Sequence, residues 1–420
     1  MQNSNDWDWE TPEKKIPFAP WQKQYRWVEE PYVSPDGEKI AAIVNLDEGE
    51  FSICVNAKQW ETTFDKIWYL RFTPDNRLSA LVSEMGEWTV AVDDTSWENK
   101  FGYVWNTLFS QNGSRIAVAF QNDMNYGMVV DNNIWNNTFS DMTYMAFSAA
   151  GEHSAAAVQV KPSASAEIHT FQEGVFSAAI DGTTWENTFV NVWNLTFSPD
   201  GSHLAAEVRL NLYDYTIAVD GIPWKKTFSS VWAPIFIPHS NKFAAPVRIA
   251  GKWTLAQEGE ILWPERFDQL WLPIVSPADN RVAAVVASRF GQWTLAIDGK
   301  AWSSTFKDVV MDPVFSPDGK RLAALGKQHE RWHILVDNMV WSNHFSMSTP
   351  PVFSPDGEHL AVKTEQDGTY GYVVNDRVLP YHGTMAWDPV FSPDGNKLLL
   401  RYVEDGTYCR RILPIADIRS

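Results

Sequence analysis

A four-residue turn that keeps returning limits what this chain can fold into. Ser-Pro-Asp-Gly starts at Ser34, Ser198, Ser316, Ser354 and Ser392, with degenerate copies at Thr73, Ser110, Ser148, Ile237 and Ser276. The ten copies lie roughly 37–40 residues apart, with one longer interval. Proline pre-sets φ and glycine accepts a positive φ, so each copy predicts a tight turn. A short apolar run precedes each turn ("LTF", 195–197) and an Ala/Val/Leu-rich run follows it ("RLAALG", 321–326). Two such runs around a turn predict a β-hairpin.

A second signature lies between the turns. An aromatic residue is followed by Val/Ile-Asp/Asn, then a Trp, then a Phe four residues further on: Trp88–Asp93–Trp97–Phe101, Tyr215–Asp220–Trp224–Phe228 and Trp293–Asp298–Trp302–Phe306. Asp-Gly at 181–182, 220–221 and 298–299 is itself a hairpin signal. Each unit therefore holds about four short strands, and such a unit repeated is the pattern of propeller blades. The expected fold is all-β, a propeller of about ten four-stranded blades closed by pairing of the N- and C-terminal strands. Trp21-x-x-x-Tyr25 matches a fourth strand that has no preceding strands, and 408–413 matches the third strand that precedes one. Joined, they would complete a blade and remove two open sheet edges. Residues 16–420 are thus expected as a single large propeller behind a disordered or docking tail, residues 1–15. Two fused five-bladed propellers splitting near 215–235 are the alternative.

Most of the 22 tryptophans follow the repeat. Trp60, Trp97, Trp135, Trp185, Trp224, Trp263, Trp302 and Trp341 form the fourth-strand column. Trp88, Trp253, Trp293 and Trp332 head the third strand. Trp68, Trp105, Trp193, Trp232, Trp271 and Trp387 form a column ahead of the turn. Residues repeated in most blades serve the blade, and large rings suit wedge-shaped gaps between sheets. These aromatics are therefore read as structural. Candidate partner contacts are the departures from the repeat: Trp7 and Trp9 in the acidic tail, and Lys161, His169 and Phe171 in "QVKPSASAEIHTFQEG" (159–174). That insertion lengthens one inter-strand loop by about a dozen residues.

Catalytic and metal motifs do not survive this register. His329-Glu330-Arg331-Trp332-His333 matches H-E-x-x-H, which needs a helix to bring both histidines to one zinc. Trp332 aligns with Trp88, Trp253 and Trp293 at a strand head, so the two histidines would stand ~13 Å apart along an extended chain. His153, His203 and His359 fall at solvated turn positions. Cys54 and Cys409 belong to no C-x-x-C motif, and neither G-x-S-x-G nor a P-loop occurs. No catalytic residue, metal ligand or cofactor is expected. A net charge of −18 disfavours nucleic acid and anionic membrane surfaces. No apolar run reaches the ~18 residues of a membrane span, and 1–15 carries no apolar signal core, which leads to an expected cytoplasmic location.

The unit "FSPDGSHLAA" (197–206) resembles the WD40-like repeat of TolB-type β-propellers, and the resemblance extends over nearly the whole chain. The Trp-x-x-x-Phe column, the tryptophan content and the length resemble the TmcD family. These are tryptophan-rich subunits of the Tmc transmembrane redox complex of sulfate-reducing bacteria. That resemblance implies a non-catalytic cytoplasmic scaffold with no cofactor of its own. Its implied partners are cytochrome and iron–sulfur subunits, which would hold it at the inner membrane without direct insertion. A propeller enzyme or small-ligand sensor working through the central channel is the alternative.

Overall fold

The computed structural model describes residues 4–161 and 174–418. They form ten antiparallel sheets. Blades 1 to 9 occupy 27–64, 66–101, 103–139, 142–189, 191–228, 231–267, 269–306, 309–345 and 347–383. Blade 10 combines 385–414 with 13–17. Blades 1 to 9 have four strands in sequence order, with the first strand split at Pro31 in blade 1 and at Pro350-Pro351 in blade 9; in blade 10 the N-terminal strand takes the outer, fourth place.

The turn chemistry is local and repeats. Ser34 Oγ accepts the Lys39 N–H at 2.9 Å and donates to Asp36, whose carboxylate accepts the Glu38 N–H at 3.0 Å. The same set recurs at Ser198, Ser316, Ser354 and Ser392. The Asp/Asn closing the third strand has a second role beyond its turn. Its carboxylate or amide oxygen accepts the first N–H of the second strand: Leu78 to Asp93 at 2.9 Å, Val282 to Asp298 at 3.0 Å, Leu360 to Asn375 at 3.0 Å. His153 and His203 extend this arrangement by pairing with Asp181 and Asp220, whereas His359 is buried against Asn375 and is not a solvated turn residue.

The core is divided among the gaps between blades. Ala41, Ile43, Ile53, Trp60 and Phe64 of blade 1 meet Ile67, Leu70, Leu78, Ala80, Val82 and Ala91 of blade 2. Equivalent clusters fill the other gaps, visit all ten blades in turn and return from blade 10 to blade 1. The cluster between blades 5 and 6 runs without a break from Ala205 to Ala256, through the 215–235 region. Alanines on the second strands let the sheets approach, and tryptophans fill the gap where it widens outward.

The ends differ from the sequence expectation. The closing strand is Glu13–Pro17, paired with Thr407–Arg411, and not 21–25. Ile16 stands opposite Tyr408, where Phe64 stands opposite Phe51 in blade 1. The partner strand carries Arg410 and Arg411, and the acidic 8–13 stretch answers them: Arg411 pairs with Glu13, and Arg410 donates to the Asp8 carbonyl. Trp21–Gln24 is instead one helical turn that packs Trp21, Phe18 and Tyr25 into the gap between blades 10 and 1. The expected tail is likewise folded from Ser4 onward. Trp9 is buried on Leu399 and Ile412, with Trp7 half-buried beside it, and their rings lie 6.0 Å apart. A buried Trp9 cannot serve as a free docking residue.

Candidate protein-docking face

First strands of neighbouring blades touch one another, so they line the axis. Strand direction alternates within each blade, which puts every second-to-third-strand hairpin on one face of the ring. The Ser-Pro-Asp-Gly turns lie on the other. Most hairpin tips are the expected polar or glycine residues, such as Gly49, Gly251 and Asp367-Gly368. Four are not. Met85 is 98 % exposed, Phe290 94 %, Tyr213 80 % and Met124 71 %. Lone exposed apolar residues need no explanation. Large ones held at the tips of rigid hairpins on a single face are the pattern of a contact surface. The second strand of blade 4 ends at Gln159 on this same face, between the tips bearing Met124 and Tyr213. Of the insertion's candidate contacts, Lys161 is exposed and its Nζ lies 3.3 Å from Thr188 Oγ1. His169 and Phe171 lie outside the described residues.

Aromatic rings in mutual contact lie just below these tips. Trp68 and Trp88 are 4.6 Å apart by ring centroids, Trp88 and Tyr103 5.7 Å, Tyr103 and Trp105 5.9 Å, and Trp105 and Tyr126 6.0 Å, a run that crosses from blade 2 into blade 3. Trp271 and Trp293 stack at 4.5 Å and 10°. Trp232 and Trp253 stack at 5.3 Å and 15°. In Trp68–Trp88, Trp105–Tyr126, Trp271–Trp293 and Trp232–Trp253 a ring of the first-strand column leans on a third-strand head. Trp88 and Trp253 are buried, and Trp293 and Trp332 half-buried, whereas Trp68 and Trp232 are exposed. In the fourth-strand column Trp60, Trp135, Trp224 and Trp263 are buried, and Trp97, Trp185, Trp302 and Trp341 half-buried. Trp135 Nε1 donates to Ser154 Oγ at 2.8 Å. Trp68 and Trp232 of the first-strand column thus expose more ring surface than the tryptophans of the third- and fourth-strand columns. What the sequence did show was an apolar residue standing in a turn otherwise built from Gly, Asp and Asn.

Along the axis, the first strands of six blades carry a bulge whose residue has a left-handed backbone: Tyr69, Asn106, Tyr144, Asn194, Leu272 and Asp312, with φ between 46° and 57°. Non-glycine residues rarely adopt this conformation, and bulges re-aim side chains. Asn194 uses it to donate to Glu207 Oε2 at 2.9 Å. Burial pushes the Glu207 carboxyl up to about 7, and the Asn194 bond opposes that rise.

The histidines of 329–333 are apart. His329 and Glu330 form a hairpin tip with φ of 53° and 62°. His333 stands on the strand opposite His344, ring centroids 5.6 Å apart. Burial, then the charges of His344 and His329, hold the His333 imidazole below its usual range. Among the described residues no group of three or more His, Cys, Asp or Glu could hold a metal ion. Cys54 and Cys409 are buried, and burial pushes both thiols up. Among the described residues no helix is long and apolar enough to cross a membrane.

Fold and repeat together define a ten-bladed β-propeller whose blades are consistent with WD40-like repeats. No known family model matches the chain, and no curated protein matches it. A solved structure described as a crystal structure of the eukaryotic initiation factor is similar with a TM-score of 0.49 at 12 % identity. It covers 79 % of this chain and 90 % of that one, and a likeness at this level carries no argument about function.

Proposed function

We propose that the chain is a non-catalytic scaffold that docks protein subunits on its hairpin face, within a membrane-bound electron-transfer complex. The observation that carries the docking reading is the placement of Met85, Met124, Tyr213 and Phe290 at hairpin tips of one face. The electron-transfer context rests on the resemblance of the tryptophan-rich repeats to TmcD-type subunits. On this reading the partners are cytochrome and iron–sulfur subunits. The chain sits at the cytoplasmic side of the inner membrane through them, without inserting. Its acidic surface favours basic partner surfaces. The alternative, a propeller enzyme or small-ligand sensor, is favoured by a different observation: Arg71, Asp388 and Arg401 gather at the other end of the axis.

Affinity purification of the tagged protein from gently solubilised native membranes tests the scaffold reading. Haem- and iron–sulfur-containing subunits are expected to co-purify. Recovery of the chain alone would sink the redox-complex assignment.

A further inference from the structure

At the mouth of the axis formed by the Ser-Pro-Asp-Gly turns, a cavity of ≈ 420 Å³ spans the inner strands of blades 10, 1, 2 and 3. Its apolar walls are Tyr32, Phe72, Phe109 and Trp387, and its cations are Arg71 and Arg401. The size and the ratio of apolar wall to a few polar groups suit a small molecule.

Arg71 is a departure peculiar to blade 2. The residues at the same register on the other inner strands are Leu108, Ala146, Thr196, Ile235, Ile274, Val314, Val352, Val390 and, in blade 1, Tyr32. Each stands opposite the second residue of its blade's second strand, or the third in blades 6 and 10, where that strand starts one residue earlier. The other nine blades pack without a cation at this position. Its guanidinium lies 5.6 Å from the Tyr69 ring centroid and has no carboxylate partner among the described residues.

Arg401 is a structural pin that adds charge. Its fork donates to the carbonyls of Ser34, Pro35 and Asp388 at 2.8, 3.1 and 2.7 Å, and its Nε has no acceptor among the described residues. None of those acceptors is a carboxylate, so its charge is not neutralised. The one carboxylate on the wall, Asp388, is engaged by Lys363 Nζ at 3.2 Å and Thr349 Oγ1 at 2.9 Å. Glu29 and Glu30 lie in the break between Trp27–Val28 and Tyr32–Val33 and are not part of the wall. The cavity is therefore locally cationic in a chain of net charge −18. Salt screens the distant acidic surface beyond ~8 Å at physiological ionic strength, so the local charge decides.

We propose that this cavity binds a small organic anion, a carboxylate on a flat apolar body, with Arg71 as the residue that forks onto the carboxylate. A guanidinium matches a carboxylate bidentately, and the aromatic walls take the apolar body. The site lies on the face opposite the docking tips, so it does not depend on the scaffold reading.

Isothermal titration of the full chain with benzoate tests this, with benzyl alcohol and inorganic phosphate as comparison probes. Saturable one-to-one benzoate binding is expected, tighter than either comparison probe. R71Q should weaken it by about tenfold or more while leaving the thermal midpoint in plain buffer and co-purification from membranes unchanged. No benzoate binding at millimolar concentration would overturn the proposal. So would benzoate binding unaffected by R71Q, or phosphate or benzyl alcohol binding as tightly as benzoate.

Discussion

Arg410 Nε donates to the main-chain carbonyl of Asp36 at 2.9 Å, joining the last strand of the chain to its first turn. The guanidinium is fully buried, also donates to the Asp8 carbonyl, and lies 3.0 Å from the Glu38 carboxylate. Tyr408 Oη donates to the Gly37 carbonyl at 2.8 Å, and Arg401 donates to the Ser34 carbonyl at 2.8 Å. Three side chains of the last two strands therefore grip one Ser-Pro-Asp-Gly turn. Gly37, at φ 75°, fits under them: a Cβ there would stand 3.1 Å from Arg410 Cγ and 3.2 Å from Tyr408 Oη. The joint where the ends of the chain meet thus adds a buried polar latch to its apolar cluster.

Arg410→Ala should open that joint first. It strands the Asp36 and Asp8 carbonyls and leaves the Glu38 carboxylate with Lys14 alone, and breaking a buried pair from one side costs about 3 kcal/mol. The urea midpoint should fall. Amide exchange should accelerate selectively in Glu13–Pro17, whose only strand partner among the described residues is 407–411. Uniform acceleration across all ten blades would contradict a local latch.

Gly326→Ala tests how tightly the Phe of the Trp-x-x-x-Phe signature packs. Gly326 lies in the second strand of blade 8, and a Cβ there would run into the Phe306 ring edge of blade 7. Phe306 is fully buried. Overpacking of this kind costs about 1–3 kcal/mol. Adding Phe306→Leu to Gly326→Ala should recover part of the thermal midpoint, whereas purely additive losses would show that the two positions do not share this contact.

How much of this was legible follows from how local each feature is. The Ser-Pro-Asp-Gly turns depend on residues within five positions of one another, so strand number and blade count could be read directly. The buried Trp60, Trp135, Trp224 and Trp263 followed from repetition alone. The closing strand could not be read the same way. Trp21-x-x-x-Tyr25 matches the pattern better than Glu13–Pro17, but the choice is made by Arg410 and Arg411, about 400 residues away, and by the gap that Trp21 fills. The apolar hairpin tips escaped for the opposite reason: Met85 and Phe290 stand out through exposure, which periodicity does not encode. Asp93 and its equivalents read as turn residues because their bond to the second strand crosses fifteen or so positions.

Met85→Ser combined with Phe290→Ser separates docking from stability. Both side chains are almost wholly exposed, so the thermal midpoint should shift by no more than the equivalent of about 0.5 kcal/mol. Co-purification of partner subunits should nonetheless drop. Undiminished recovery with the double variant would remove the hairpin face from consideration as the docking surface.

Glu207 should make stability fall as pH rises through the range in which many enzymes and complexes are handled. Its carboxyl is pushed from about 4.5 up to about 7 by burial, so between those values the folded chain holds a proton that the unfolded chain has released. Stability then decreases with rising pH: the contribution is present below about 4.5 and is lost by about 7. The full difference is on the order of 3 kcal/mol at 1.36 kcal/mol for each pKa unit. Glu207→Gln keeps an oxygen for the Asn194 amide and cannot ionise. Urea midpoints of the wild type and this variant should lie close together at pH 5 and diverge at pH 8, with the variant the more stable. A constant difference between the two proteins at both pH values would show that Glu207 titrates normally, with water reaching its carboxylate between blades 5 and 6.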